Sequence, residues 1–485
     1  LCAITRSADL LFNSFGFGIF LPIVFILYWT FQNKGVRAQN ILLLIASYYF
    51  YSCWDYRFLF LLIFSTLLDF FTGIKMFESN SKKNKKIWFW ISVCVNLGFL
   101  AFFKYYNFFV NSFQVSLEQF HLHADLPILR IILPVGISFY TFHGLSYVID
   151  IYKGKIEPER NFVTYSLFVS FFPLLVAGPI ERATHLLPQL KSKRNFDYSL
   201  AVKGIRQIIW GLFKKVVIAD SLAPIVADIF QNYQHYNGLT LAIGAIYFAF
   251  QIYGDFSGYS DIAIGTANLF GIELLSNFKF PYFSRDIAEF WRRWHISLSS
   301  WFRDYLYFPL GGSREGKIKA VRNTFIIFIV SGFWHGASWN FIVWGAVHAI
   351  LFLPLLLLNK NRKHTSSIVA QGRAIPNIHE LFQMLSTFLL VTGAWVFFRA
   401  ANLKISFFYL KYIFAHFALS REVDTHPFLL IGFMLILDWR HRNDDRNVLY
   451  FRKKWLRYCF YVILLDLIIQ GLLTFSQQQF IYFQF

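Results

Sequence analysis

"NTFIIFIVSGFWHGASWNFIVWGAVHAI", residues Asn323–Ile350, sets an ionisable ring, His335, in a run that is mostly apolar, aromatic or small and holds no lysine, arginine or acid. Both flanks of His335 read as buried helix, so the stretch predicts two apolar helices meeting at a histidine beside Trp334, with Trp339 close behind. Ionisable residues are expensive inside a membrane and by default mark function. A neutral imidazole in such surroundings can accept a proton.

The same composition extends over the whole chain. Of its 485 residues 56% are hydrophobic, 21% aromatic and only 15% charged, against about 25% charged in soluble domains. The mean hydropathy is +0.46. Apolar runs near twenty residues recur, each long enough for a hydrocarbon core roughly 30 Å thick. The expected architecture is an all-α, polytopic integral membrane bundle, with about ten to twelve crossings plus re-entrant and interfacial helices.

Spans are expected near 12–31, 40–53, 57–73, 87–110, 127–150, 162–179, 201–220, 238–256 and 259–272, then 323–334, 341–358, 381–398, 405–418, 427–438 and 455–474. Span 127–150 contains Pro134, Gly136 and His143, which suits the interior of a bundle, where neighbours satisfy a freed carbonyl. No repeat of 20–50 residues is visible, against an inverted-repeat transporter.

The net charge of +19 does not point to nucleic acid, because lysine and arginine collect in short breaks between apolar runs rather than on a soluble basic face. Lys34, Arg37 and the lysines of 75–86 flank the early spans, whereas 111–126 holds only Glu118 and Asp125. That alternation places the N-terminus outside. Four scattered cysteines have neither metal nor disulfide spacing. Residues 1–10 lack an initial methionine and do not resemble a signal peptide. They are expected to precede one membrane domain, 11–485, whose first span is retained.

The longest polar interruption is 273–322, in which Arg292, Arg293 and Arg303 stand among further lysines and arginines, interleaved with tryptophan and phenylalanine. This mixture suits an interfacial helix on the cytoplasmic side, in contact with lipid. It equally suits a dock for an anionic donor, since arginine offers phosphate paired N–H groups. His295, after "FWRRW", belongs to this segment and becomes a candidate partner of His335 in 323–358. Neither histidine lies in an HExxH or i,i+4 pair, so no metal is expected. His121 and His123 read as loop residues. Asp255, Tyr259 and Asp261 in "YGDFSGYSD" interrupt an apolar stretch and need partners. They either orient a histidine or pair with arginines to hold the bundle. Asn340 is a further candidate lining residue.

"EFWRRWHISLSSWFRDYLYFPLGGSR" (289–314) with "FWHGASWNFIVWGAVHA" (333–349) resembles the membrane-bound O-acyltransferase family, in particular its bacterial alginate O-acetyltransferase branch. "LFNSFGFGIFLPIVFILYW", "GISFYTFHGLSYVIDIYKG", "FFPLLVAGPIERATHLLPQL", "YGDFSGYSDIAIGTANLFGI" and the terminal "FIYFQF" agree with that branch, so the resemblance covers nearly the whole chain from Leu11. At His143 the family more often has glutamine.

The resemblance implies a bundle around a central tunnel, with His335 as the essential histidine and His295 as the upstream family histidine. It implies an acyltransferase of the bacterial inner membrane that passes an acetyl group from acetyl-CoA or a carrier thioester to hydroxyls of an envelope polysaccharide, directly or through a periplasmic transferase. No bound cofactor is expected. Acyl transfer needs a base, donors for the developing oxyanion and exclusion of water. On this reading His335 is the base and His295 positions or polarises the donor. Two alternatives stay open: D-alanyl transfer to teichoic acid on the same fold, and a transporter or flippase for a lipid-linked sugar.

Overall fold

The computed structural model describes residues 10–122, 126–176, 178–365, 367–419, 423–475 and 478–483, without the side chain of Phe483. His123, Asp125, the last two residues of "FIYFQF" and all but residue 10 of the N-terminal extension lie outside that set. Among the described residues every regular element is a helix. Two compact units divide the chain: 1–201 with 267–275, and 202–266 with 276–485.

In the first unit, Ser14 starts the helix Phe15–Thr30 by accepting from the Phe17 amide at 3.2 Å. The spans expected at 40–53 and 57–73 form one run, Val36–Glu78, broken at Asp55 where φ is −155° and ψ 111°. Asp55 accepts from the Arg57 amide at 2.9 Å, which restarts the helix. Lys82–Leu100 continues through a π-helical turn into Tyr106–Gln119. These helices expose Leu67, Phe71, Trp90 and Leu97 and bury Ser65, Asp69, Ser92 and Asn96. Asp69 accepts from the Ser92 hydroxyl at 2.6 Å and the Asn96 amide at 2.7 Å. Apolar side chains outward and paired polar groups inward is the arrangement hydrocarbon demands.

Span 127–150 differs from expectation, because its helix is Ile137–Tyr152 and Pro134 precedes it. Proline disfavours helix in the residue before it, and Gly136, at φ 71°, makes a left-handed turn at the boundary. A Cβ there would stand 2.2 Å from the Leu175 carbonyl oxygen, so space as well as φ requires glycine. His143, on this helix, is buried and accepts from the Glu181 amide at 3.1 Å through Nε2.

In the second unit, the helix ending at Leu212 runs through a π-helical stretch, Phe213–Ala219, into Asp220–Gln231, beside the long helix Gly238–Leu269. Small residues let these backbones touch: a Cβ on Gly211 would meet the Gly258 carbonyl at 2.5 Å. Lys317–His335 and Trp339–Leu357 form an antiparallel hairpin of the same kind. Cβ atoms on Gly332 and Gly345 would lie 2.1 and 2.2 Å from the carbonyl oxygens of Phe341 and Phe328.

Among the described residues, six helical runs are long and apolar enough to cross a membrane: Val36–Glu78, Lys82–Gln119, Gly238–Leu269, Trp339–Leu357, Ile378–Arg399 and Lys454–Thr474. The other expected crossings fall on shorter or more polar helices. Leu403–Ala415, for example, has 13 residues, about 20 Å of rise. Segment 273–322 is not one surface helix. It folds into Ile287–Arg293, Ile296–Phe302 and a π-helical turn, Arg303–Tyr307, with Glu289 and Trp294 fully buried. Arg285 and Arg293 neutralise Glu289 at 3.0 and 2.8 Å, which lets this basic segment enter the interior.

Candidate active site

The two short helices of the basic segment meet at His295, whose φ of 42° and ψ of 55° are left-handed. A non-glycine residue held in this region costs of order 1–3 kcal/mol, so neighbouring contacts must impose it. Asn277 does so from two sides. Its carbonyl accepts from the Ile296 amide at 2.9 Å, and its side chain accepts from the Ser297 hydroxyl at 2.6 Å. The same side chain donates to Ser260 at 3.0 Å, anchoring the turn to Gly238–Leu269. His295 is thereby held inside the unit with both ring nitrogens buried and lacking hydrogen-bond partners. Burial pushes its imidazole down to about 3, so the ring is neutral.

His335 ends the helix Lys317–His335 and is 2% exposed. Its ring centroid lies 6.5 Å from that of His295. Aromatic rings wall the pair. Phe256 stands 4.6 Å from His295, and Trp344, Tyr482 and Phe398 stand 5.1, 5.3 and 5.4 Å from His335. Trp334 touches both histidines, at 5.9 and 5.0 Å. Trp339, five residues further along the chain, is 54% exposed. Another buried histidine of this unit, His348, packs against Trp344 at 4.9 Å and accepts from the Trp291 indole at 3.3 Å.

The C-terminal residues complete the wall. Lys215, fully buried, holds Asp220 and Asp255 at 2.7 Å each and donates to the Gln478 carbonyl at 3.0 Å. Asp255 accepts in turn from the Ile481 amide at 2.7 Å. The latch sets Phe480 4.8 Å from Tyr259 and Tyr482 4.8 Å from Phe256. Asp255 thus pairs with a lysine and the C-terminal backbone, not with a histidine or an arginine. Tyr259 is buried beneath Lys215, whose ammonium lies 5.3 Å from its ring centre.

The remaining sequence candidates are more dispersed. Asp261 pairs with Lys214 and accepts from Gln207 at 3.1 Å. Asn340 donates to the Ala400 carbonyl at 2.7 Å, tying two helices together. Arg293 binds Glu289, while Arg292 donates to the Asn361 carbonyl at 2.8 Å. Arg303 pairs with Asp304 at 2.8 Å, its side chain 58% exposed. No cluster of three or more histidine, cysteine or acidic side chains suited to a metal occurs among the described residues. Lys215, Phe256, Phe398 and Tyr482 escaped the sequence reading. The one signal available was the pair of lysines in the apolar run 201–220. Chemically, the arrangement offers a neutral imidazole with both ring nitrogens unpartnered, a second buried imidazole, and a wall of rings that leaves little room for water.

The sequence profile of the membrane-bound O-acyltransferase family matches residues 158–396, which include both histidines. A probable alginate O-acetylase of Pseudomonas syringae pv. tomato is 40% identical over 389 residues, covering 80% of this chain and 72% of that protein. A peptidoglycan O-acetyltransferase of Helicobacter pylori is 35% identical over 439 residues, 84% and 80% of the two chains. A teichoic acid D-alanyltransferase of Streptococcus thermophilus is 33% identical over 260 residues, 48% of this chain and 62% of that one.

Proposed function

The chain belongs to the membrane-bound O-acyltransferase family, and from that premise we propose that it transfers an acetyl group from a cytosolic thioester to hydroxyls of an envelope or extracellular polysaccharide. The observation that carries this reading is the pair of buried histidine rings 6.5 Å apart within an aromatic wall. His335 takes the proton of the attacking hydroxyl as general base. The hydroxyl oxygen bonds the acyl carbon, the carbon–sulfur bond breaks, and the departing sulfur receives the proton to leave as a thiol. His295, neutral and with unpartnered ring nitrogens, donates its N–H to the carbonyl oxygen as negative charge develops there. The surrounding rings keep water from competing for the acyl group.

The donor is acetyl-CoA or a carrier-bound thioester, and a tunnel through the bundle brings donor and acceptor to the histidines. The protein lies in the bacterial inner membrane with its N-terminus outside, among lipids, and its product passes to the glycan directly or through a periplasmic transferase. Acetyl transfer is preferred to D-alanyl transfer because the acetylating relatives align over 80% and 84% of the chain and the D-alanylating one over 48%. The test is the O-acetyl ester content of envelope glycans. Cells lacking the chain lose the ester, the intact chain restores it, and His335→Ala does not. Unchanged ester content without the chain overturns the reading.

A further inference from the structure

His348, on the helix Trp339–Leu357, is fully buried and has no part in the transfer derived above. Its ring lies 4.9 Å from Trp344 and 5.0 Å from Trp291, and nearly parallel to those of Phe290 and Phe328, each 6.3 Å away. An indole nitrogen can only donate, so His348 Nδ1 accepts the Trp291 N–H at 3.3 Å and the imidazole proton sits on Nε2. Nε2 is buried without a hydrogen-bond partner. Burying an N–H without an acceptor costs free energy that a phenylalanine or leucine would avoid. The ring therefore has a task that its other nitrogen performs.

That nitrogen joins two elements of the site. Trp291 lies on Ile287–Arg293, the short helix that leads directly into the left-handed turn at His295. His348 lies on the second arm of the hairpin whose first arm ends in His335. The Trp291–His348 bond thus ties the segment bearing one candidate histidine to the hairpin bearing the other. The same ring braces Trp344, one helical turn earlier on its own helix, where side chains four apart are neighbours. Trp344 is fully buried, stacks on Trp395 at 5.5 Å and stands perpendicular to the His335 ring at 5.1 Å. Trp291 also packs against Trp344, at 5.7 Å. The three rings form one cluster shared by the two segments, and the segments set the 6.5 Å between His295 and His335. Such spacing matters, because a misplacement of about 1 Å can cost on the order of a hundredfold in rate.

We propose that His348 is a positioning residue for acyl transfer, acting through Trp291 and Trp344 to fix where His335 stands relative to His295. The inference rests on the acyl-transfer reading above and gives a role to a side chain outside contact with substrate. The test measures acetyl-transfer kcat and donor KM per folded molecule, with Tm alongside, for the purified full chain in lipid vesicles. His348→Leu, which loses the acceptor nitrogen, should lower kcat about ten- to a hundredfold while donor KM moves by less than about threefold. His348→Asn, whose side-chain oxygen can take the Trp291 N–H, should recover most of that loss. Trp291→Phe removes the donor and keeps a ring. It should lower kcat about as far as His348→Leu, and it carries the test should His348→Leu fold poorly. The double variant should be no slower than the slower single one, because both changes break one link.

A kcat unchanged in His348→Leu and Trp291→Phe, whatever happens to Tm, reduces His348 to packing and overturns the inference. So do losses confined to KM, a His348→Asn no better than His348→Leu, or single losses that multiply in the double variant. Each of these leaves acyl transfer standing, whereas no transfer by the unaltered chain overturns both.

Discussion

Asn277→Ala removes the clamp on the His295 turn and leaves every wall of the site in place. The lost interactions are two buried hydrogen bonds, to Ser297 at 2.6 Å and Ser260 at 3.0 Å. At roughly 0.5–1.5 kcal/mol each, their joint loss is about 1–3 kcal/mol. The left-handed backbone of His295 stores strain of similar size, so the turn relaxes locally before the bundle unfolds. The fraction of molecules with the ring in place, and with it the acetyl-transfer rate of purified protein in vesicles, should fall about five- to a hundredfold. Ser297→Ala removes the bond to the Asn277 side chain and should lower the rate about two- to tenfold. Membrane accumulation of both variants should match that of the unaltered chain. An unchanged transfer rate in Asn277→Ala would refute the idea that this clamp positions His295.

Three further outcomes are expected. Gly332→Val forces a side chain toward the Phe341 carbonyl, 2.1 Å from the Cβ position. It should lower stability by at least about 2 kcal/mol, and an unchanged Tm in detergent contradicts the close crossing. Asp255→Ala breaks a buried pair, worth about 3–5 kcal/mol when one partner is lost, and frees the Ile481 amide. A cysteine placed at Phe480, in a chain without its natural cysteines, should then react with maleimide only in the Asp255→Ala background; equal labelling contradicts the latch. Because burial holds the His295 imidazole down at about 3 while the unfolded chain titrates near 6.5, the unfolded state binds more protons between those values. Stability therefore declines as pH falls from above 6.5 toward 3. His295→Gln should flatten that decline, and an unaltered slope contradicts the neutral ring.

Some of this was legible in the sequence for physical reasons. His335 stood out because nothing else ionisable borders it before residue 348, and helix–turn–helix was readable from apolar flanks around Gly336 and Ser338. His295 was harder to read, since an aromatic-basic segment looks interfacial until Glu289 is seen neutralised by two arginines in the interior. The break at Asp55 was legible in the sequence as the gap between two spans, 40–53 and 57–73. What stayed hidden depended on contacts distant in the chain. A carboxylate on a buried helix serves a histidine or a lysine according to which neighbour packs there, and for Asp255 it is Lys215. Nothing local in "FIYFQF" says that Tyr482 packs against His335. Pro134 misled because an apolar run continues through it, whereas the backbone becomes helical only at Ile137.

The central claim, that His335 removes the proton allowing the acyl group to move, is tested most directly by discharge of radiolabelled acetyl thioester. The assay uses purified protein in sealed vesicles with no ion gradient, supplied with a glycan acceptor. The unaltered chain should release free thiol and form labelled glycan ester, while His335→Ala, present at the same level, should do neither. Undiminished discharge by His335→Ala, or discharge only when a gradient is imposed, would contradict it.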